Sequence, residues 1–65
     1  MKDFRLYKDL QSGKLVEARV FKYPVPFLEK TLEFEYWIIH EYEDDEVSNQ
    51  IILTDRDFQE RYKSI

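Results

Sequence analysis

Apolar and polar residues alternate along most of this chain, and a period of two predicts β-strands. A first strand is predicted over Phe4–Leu10 and a second over Leu15–Tyr23. The turn at Gln11–Lys14 contains the only glycine of the sequence, so the two strands are predicted to form a hairpin. Three small apolar residues of the second strand are expected to face the core: Val16, Ala18 and Val20.

The clearest alternation begins at Leu32. We expect one side of this third strand to face the core, with Leu32, Phe34, Tyr36, Ile38, His40 and Tyr42, and the other side to face outward, with Glu33, Glu35, Trp37, Ile39, Glu41 and Glu43. Pro24 and Pro26 are expected to stop the second strand, and Pro26–Leu32 to form a loop or one helical turn. A polar turn at Glu43–Glu46 then leads to a fourth strand over Val47–Leu53, which completes a second hairpin.

A helix is predicted to close the chain. Thr54 is its expected N-cap with Asp57 at the third helical position, and its apolar stripe is Phe58, Tyr62 and Ile65. An isolated helix this short is marginal in water, so the stripe is expected to dock on the sheet. The predicted fold class is α+β: a small antiparallel sheet of two β-hairpins (four strands) with one C-terminal helix packed on it, in a single small domain over residues 1–65.

Composition narrows the classes of function. The chain has no Cys, which excludes disulfides, thiolate zinc sites and a cysteine nucleophile and favours a cytoplasmic location. The start, Met1–Arg5, lacks the apolar run of a signal peptide, and no segment approaches the roughly 20 apolar residues of a membrane span. A single glycine excludes a Gly-rich phosphate loop.

The sequence contains few candidate residues for catalysis or metal binding. His40 is the only imidazole, and its two interpretations are a hydrogen-bonded histidine at the edge of the core and a general base. No serine stands in a nucleophile elbow. The run Asp44–Glu46 lacks the residue order of a calcium loop. We therefore expect no enzyme activity, no cofactor and no metal site.

Charge is concentrated rather than spread. The formal net charge is −4, yet residues 31–55 hold eight acidic residues and no Lys or Arg. Such a surface repels phosphate backbones, so direct nucleic-acid binding is disfavoured. An apolar centre with an acidic rim is typical of a site for a protein with a basic surface. The predicted partner-binding residues are Trp37, Ile39, Glu33, Glu35, Glu41, Glu43, Asp44 and Asp45.

Two alternatives to this interface stay open. The helix, or Phe27 and Leu28, could cover Trp37 and Ile39 from that side, and the acidic turn could serve only to keep the tip solvated. A homodimer formed through an open sheet edge or the same Trp37 patch is the alternative function.

Three segments carry a family resemblance: Leu15–Phe21, Tyr36–Ile39 and Ile52–Tyr62. With their Val-Glu-Ala strand, Trp-Ile-Ile strand and closing Asp-x-Phe-x-x-x-Tyr helix, they resemble small phage and prophage proteins of unassigned function. The chain departs from that pattern in lacking a Gly-rich turn before its last strand. The resemblance implies a non-enzymatic module that acts by binding a protein. The narrower hypothesis, based on the acidic residues, is an inhibitor of a host protein, in which the acidic surface of this chain mimics DNA.

Overall fold

Five antiparallel strands form one sheet in this computed structural model, which describes residues 4–65. Residues 1–3 lie outside the described residues. The prediction that Met1–Arg5 is not part of a signal peptide falls mostly on them. The strand order is β4-β3-β2-β1-β5. The elements are β1 (Arg5–Asp9), β2 (Leu15–Phe27), β3 (Lys30–Glu43), β4 (Glu46–Thr54), α1 (Asp55–Arg61) and β5 (Tyr62–Ser64).

The predicted fold class, four strands with a C-terminal helix, is wrong. Helix α1 has seven residues and ends at Arg61, and the chain then continues as β5, which pairs antiparallel with β1. Tyr62 was predicted on the helical stripe but has extended backbone angles, φ −122° and ψ 148°. The fold is mostly sheet, with one short helix inserted before the last strand.

An ion pair between distant parts of the chain explains why the helix stops where it does. Arg61 donates from Nε and Nη2 to the two carboxylate oxygens of Asp9, at 3.3 and 3.2 Å. The backbone N–H of Leu10 donates to the carbonyl of Arg61 at 2.8 Å, which begins the pairing of the following residues with β1. These contacts hold residue 61 against the end of β1, so Tyr62–Ser64 gain more from a strand than from another helical turn.

The second correction concerns the prolines. Strand β2 runs through Pro24 and Pro26 to Phe27, and both prolines pair with β3, opposite Glu33 and Thr31. The two prolines are two residues apart, so their nitrogens point to the same side, and β1 pairs only with Leu15–Ala18. Their nitrogens can therefore lie at the free edge of β2, where no ladder hydrogen bond is lost. The predicted loop is a two-residue turn, and the sheet is a meander.

The local signals of the sequence are confirmed elsewhere. The first turn contains Gly13 at φ 75°, a conformation that glycine adopts without steric cost. The Thr54 hydroxyl accepts a hydrogen bond from the backbone N–H of Asp57 at 3.3 Å, as the predicted N-cap requires.

The two faces of the sheet differ in their cover. We call the side under α1 the covered face, where the buried apolar residues are Val16, Ala18, Ile39, Phe58 and Tyr62. We call the opposite side the open face. The prediction that Val16 and Ala18 face the core is confirmed, whereas Val20, predicted with them, lies on the same face but is 43% exposed. The prediction for β3 is wrong: Ile39 has no exposed surface, and the side with Phe34 and Tyr42 is the open face.

Part of the sheet extends beyond the core. Strand β1 pairs with β2 only up to Ala18, and β4 pairs with β3 only from Tyr36 onward, so residues 22–35 form a two-stranded ribbon. The molecule is accordingly long, with principal extents of 46 × 24 × 17 Å. We call these residues the protruding hairpin.

Candidate functional site

Helix α1 occupies the surface that the sequence proposed as a binding site. Phe58 stacks on Trp37 with ring centroids 3.8 Å apart and planes 3° from parallel, and Tyr7 meets both rings edge-on. The indole N–H of Trp37 donates to Asp55 Oδ1 at 2.8 Å. Ile39 is fully buried. The structure thus shows the alternative arrangement, in which the helix covers Trp37 and Ile39, and Ile39 has no surface to offer a partner.

The six predicted acidic site residues are not brought together. Glu33 and Glu35 lie on the protruding hairpin, whereas Glu41, Glu43, Asp44 and Asp45 lie at or beside the turn between β3 and β4. Glu33 and Glu43 are ten residues apart on one strand, about 33 Å at the usual rise of a strand. The covered Trp37 lies between the two groups, so they form two separate acidic areas.

Asp9 is the one charged residue that is fully buried among the described residues. Its carboxylate accepts hydrogen bonds from the backbone N–H of Gln11 at 2.9 Å and from the Ser12 hydroxyl at 3.1 Å, besides those from Arg61. Burial alone would raise the pKa of Asp9, but these hydrogen bonds and the positive charge of Arg61 lower it below the ordinary value of 3.8. This arrangement holds the first turn to the end of α1 and is structural.

His40 lies on the open face and makes packing contacts. Its ring stacks on Phe4 with centroids 4.7 Å apart, and its Nε2 is 3.1 Å from Oε1 of Gln50. Across residues 4–65, no group of three or more His, Asp and Glu side chains is placed to hold a metal ion. The contacts of His40 resemble those of a histidine at the edge of a packed surface.

The open face carries a continuous apolar surface that no part of the described chain covers. Along β2 and β3 the paired positions on this side are Phe21 with Tyr36, Tyr23 with Phe34, and Val25 with Leu32. The rings of Phe21 and Tyr36 are 5.8 Å apart. We call this surface the aromatic strip; it comprises Phe21, Tyr23, Val25, Phe27, Leu32, Phe34, Tyr36, Ile38 and Ile52.

Exposure distinguishes the aromatic strip from ordinary surface. Tyr23, Phe27, Phe34 and Ile52 each leave 44–59% of their surface in solvent, and they are neighbours rather than scattered. Single exposed apolar residues are common, but contiguous apolar areas of several hundred Å² are rare on monomers and mark interaction sites. The aromatic strip is the strongest candidate for a functional surface.

Charged groups border the aromatic strip without entering it. Glu17 and Arg19 lie at its inner end and Lys30 at its outer end. Arg19 lies over the Phe4 ring at 5.7 Å. A hydrogen bond to the Glu17 carboxylate, together with burial, raises the pKa of Tyr42 above 10.0. The strip itself is neutral, with one anion and one cation at its inner end and one cation at its outer end.

The tip of the protruding hairpin is strained. Leu28, in the two-residue turn, has φ 59° and is 90% exposed. A left-handed conformation costs an L-residue with a Cβ roughly 1–2 kcal/mol, and glycine is the usual residue there. A bulky apolar side chain that is both strained and solvated adds little to the isolated fold, which makes the tip, beside Phe27 and Leu32, a candidate contact surface.

Sequence analysis missed this surface because it took the strip for the core. The overlooked signal was that both sides of β3 are apolar at Trp37–Ile39, while the chain contains only one short helix to cover either side. Among the described residues one helix covers one side of the sheet, and the other side is exposed.

Comparison with known proteins adds no match: no family model, curated protein or solved structure matches this chain. No helix within the described part of the chain is long and apolar enough to cross a membrane.

Proposed function

We propose that this chain is a non-enzymatic protein-binding module of the cytoplasm that contacts its partner through the aromatic strip. The observation that carries the proposal is the strip itself: nine neighbouring apolar residues on one uncovered face, most of them on a hairpin that extends beyond the core. Aromatic side chains with free edges and faces are the residues that contribute most to protein interfaces. The packing of His40 against Phe4 favours binding over catalysis as the use of this face.

A second candidate is a partner with a basic surface, bound at the turn between β3 and β4. Glu43 and Glu46 are directly paired across that turn, with Asp44 and Asp45 between them at positive φ. Like charges directly opposite each other are destabilising, so the cluster is unfavourable for the isolated fold. A phage-type inhibitor of a host protein is the narrower form of this candidate and rests on the sequence resemblance.

The two candidates separate in one capture experiment. The tagged protein is incubated with lysate of the source cells at about 0.1 and 0.5 M salt, where the Debye length falls from about 10 to about 4 Å. The baits are the unchanged chain, Phe34→Lys on the aromatic strip and Val20→Lys on the covered face of β2. Val20 is 43% exposed and Phe34 44%, so the two variants place the same charge at equally exposed positions.

Binding through the aromatic strip predicts that a stoichiometric partner, including a second copy of the chain, is kept at both salt concentrations, kept by Val20→Lys and lost by Phe34→Lys. A partner that both variants keep and that high salt removes would reject the strip in favour of the acidic turn. Retention of the same proteins by all three baits at high salt would reject both candidates.

A further inference from the structure

The protein exposes more surface than its mass requires. Its solvent-accessible area is 5,540 Å², whereas a folded monomer of 8.1 kDa exposes about 4,500 Å². The radius of gyration is 13.6 Å, against about 11 Å for a compact chain of this length. The excess of about 1,000 Å² compares with about 800 Å² that each partner buries in a standard interface.

The protruding hairpin is the part of the described chain that extends beyond the core. A two-stranded ribbon is marginally stable in water unless another layer packs on one of its faces. Helix α1 packs over Trp37 and Ile39 and leaves the ribbon beyond them without a layer. The ribbon therefore has one apolar face, as each sheet of a β-sandwich does, but no second sheet packs on it within the described chain.

The area of the aromatic strip is that of a small stable dimer. Five of its nine side chains are about half exposed and the other four less so. With about 200 Å² for a whole side chain of this size, the strip offers roughly 650 Å² per copy. Two copies would bury about 1,300 Å², inside the range of about 1,200–2,000 Å² for stable interfaces.

The charges at the two ends of the aromatic strip favour one partner and one orientation of that partner. A neutral apolar strip gives no preference for a strongly acidic or basic partner, but it is complementary to itself. Glu17 and Arg19 lie at the inner end, Lys30 lies opposite Phe27 at the outer end, and Phe21 and Tyr23 are near the middle. A two-fold axis through the middle, with the hairpins antiparallel, brings Lys30 of each copy to the end where Glu17 of the other lies. Each Lys30 then meets an end that holds one anion and one cation, whereas the parallel arrangement would bring Lys30 to Lys30.

We propose that two copies of this chain pack open face against open face through the aromatic strip, with their protruding hairpins antiparallel, and so form a two-layer sandwich. This inference rests on the proposed function, since it names the partner of the same surface. Aligned packing of two sheets about 10 Å apart is the arrangement that buries such faces in β-sandwiches.

Sedimentation equilibrium of the whole chain from about 1 to 300 µM tests the proposal. The unchanged protein is expected to reach twice the single-chain mass of 8.1 kDa within this range. Phe34→Lys is expected to weaken association at least a hundredfold, because the symmetry places two ammonium groups in the apolar contact. Val20→Lys is expected to associate as the unchanged protein does.

Circular dichroism and the fluorescence of Trp37 check that each variant is folded. If Phe34→Lys does not fold, Tyr23→Ser removes exposed aromatic surface on the same face without adding charge. A monomer at all concentrations overturns the proposal. A dimer that persists in the open-face variants also overturns it, since association would then use another surface such as the edge of β4.

A charge exchange tests the orientation. Glu17→Lys and Lys30→Glu are each expected to weaken association about threefold to tenfold, and the double variant to restore it, because the exposed pairs form again with reversed signs. Failure of the double variant to recover overturns the antiparallel arrangement. A monomeric protein that still captures a lysate partner through the aromatic strip rejects self-association and leaves the proposed function standing.

Discussion

Replacement of Asp9 by Asn tests the ion pair that joins the end of β1 to the end of α1. The Asp9 carboxylate is fully buried and accepts four hydrogen bonds, two of them from Arg61. An Asn side chain has the same shape but only one acceptor oxygen, and its amide group would face the donors. About two charge-assisted hydrogen bonds are lost, each worth roughly 1.5 kcal/mol. The Arg61 side chain keeps 30% of its surface in water, so we expect a loss of about 3 kcal/mol, the lower end for a broken buried pair.

The loss is large compared with the total stability, since a 65-residue domain has about 3–10 kcal/mol. Urea unfolding at about 1 µM protein, followed by the fluorescence of Trp37, measures it without a contribution from self-association. With a slope of about 1 kcal/mol/M, the urea concentration at the midpoint should decrease by about 2–3 M. A decrease smaller than about 0.5 M would refute the reasoning. Arg56→Gln is the control: it breaks a 3.7 Å ion pair with Glu60 on the exposed side of α1 and should cost at most about 0.5 kcal/mol.

The same ion pair gives the stability a pH dependence with a definite sign. Because folding lowers the pKa of Asp9 below 3.8, the unfolded chain binds the proton more readily than the folded one. The contribution of Asp9 is therefore fully present above its ordinary pKa and is lost as the pH falls below that value. The difference in the free energy of unfolding between the unchanged protein and Asp9→Asn should shrink from pH 6 to pH 2.5. A constant difference would mean that the charge of Asp9 contributes nothing.

Three further substitutions test the packing and the turns. Phe58→Ala, which removes the ring stacked on Trp37, should cost about 3–5 kcal/mol, and a retained near-ultraviolet circular dichroism signal of Trp37 would contradict it. Leu28→Gly relieves the strain at φ 59° but raises the entropy of the unfolded chain. Thermal unfolding should therefore show a net increase of about 0.5 kcal/mol in the free energy of unfolding. A lower melting temperature would show that the turn is unstrained. Tyr62→Phe removes a buried hydroxyl that has no hydrogen-bond partner among residues 4–65 and should stabilise the fold by about 1 kcal/mol in urea unfolding. A loss of stability would reveal a partner for that hydroxyl.

Short-range patterns made much of the sheet predictable. Alternation located most of the four longer strands, Gly13 located the first turn, and Thr54 marked the start of the helix. Each of these signals acts within a few residues, where local stereochemistry decides the structure. The prolines were misread because their effect depends on which edge of the strand is free, and this follows from the pairing of β1 rather than from β2 itself.

Contacts between distant residues were beyond the reach of pattern analysis. Asp9 and Arg61 are 52 residues apart, and neither carries a local signal that it will be buried or paired. The helix ends at Arg61 and β5 begins at the next residue, so both boundaries lie at that pair. The acidic site was predicted from the charges along one strand, and its residues lie in two separate areas because they are spread along a strand of 14 residues.

The choice of covered face also follows from a contact rather than from a pattern. Helix α1 begins directly after Thr54 without a connecting loop, so it must fold back onto the sheet beside the end of β4. The stack of Phe58 on Trp37 and the hydrogen bond from Trp37 to Asp55 decide on which side it lies. With seven residues, about 10 Å of helix, α1 covers the middle of one face of a sheet that is several times longer. Helix α1 lies on the covered face, so within residues 4–65 it leaves the aromatic strip on the other face exposed to solvent.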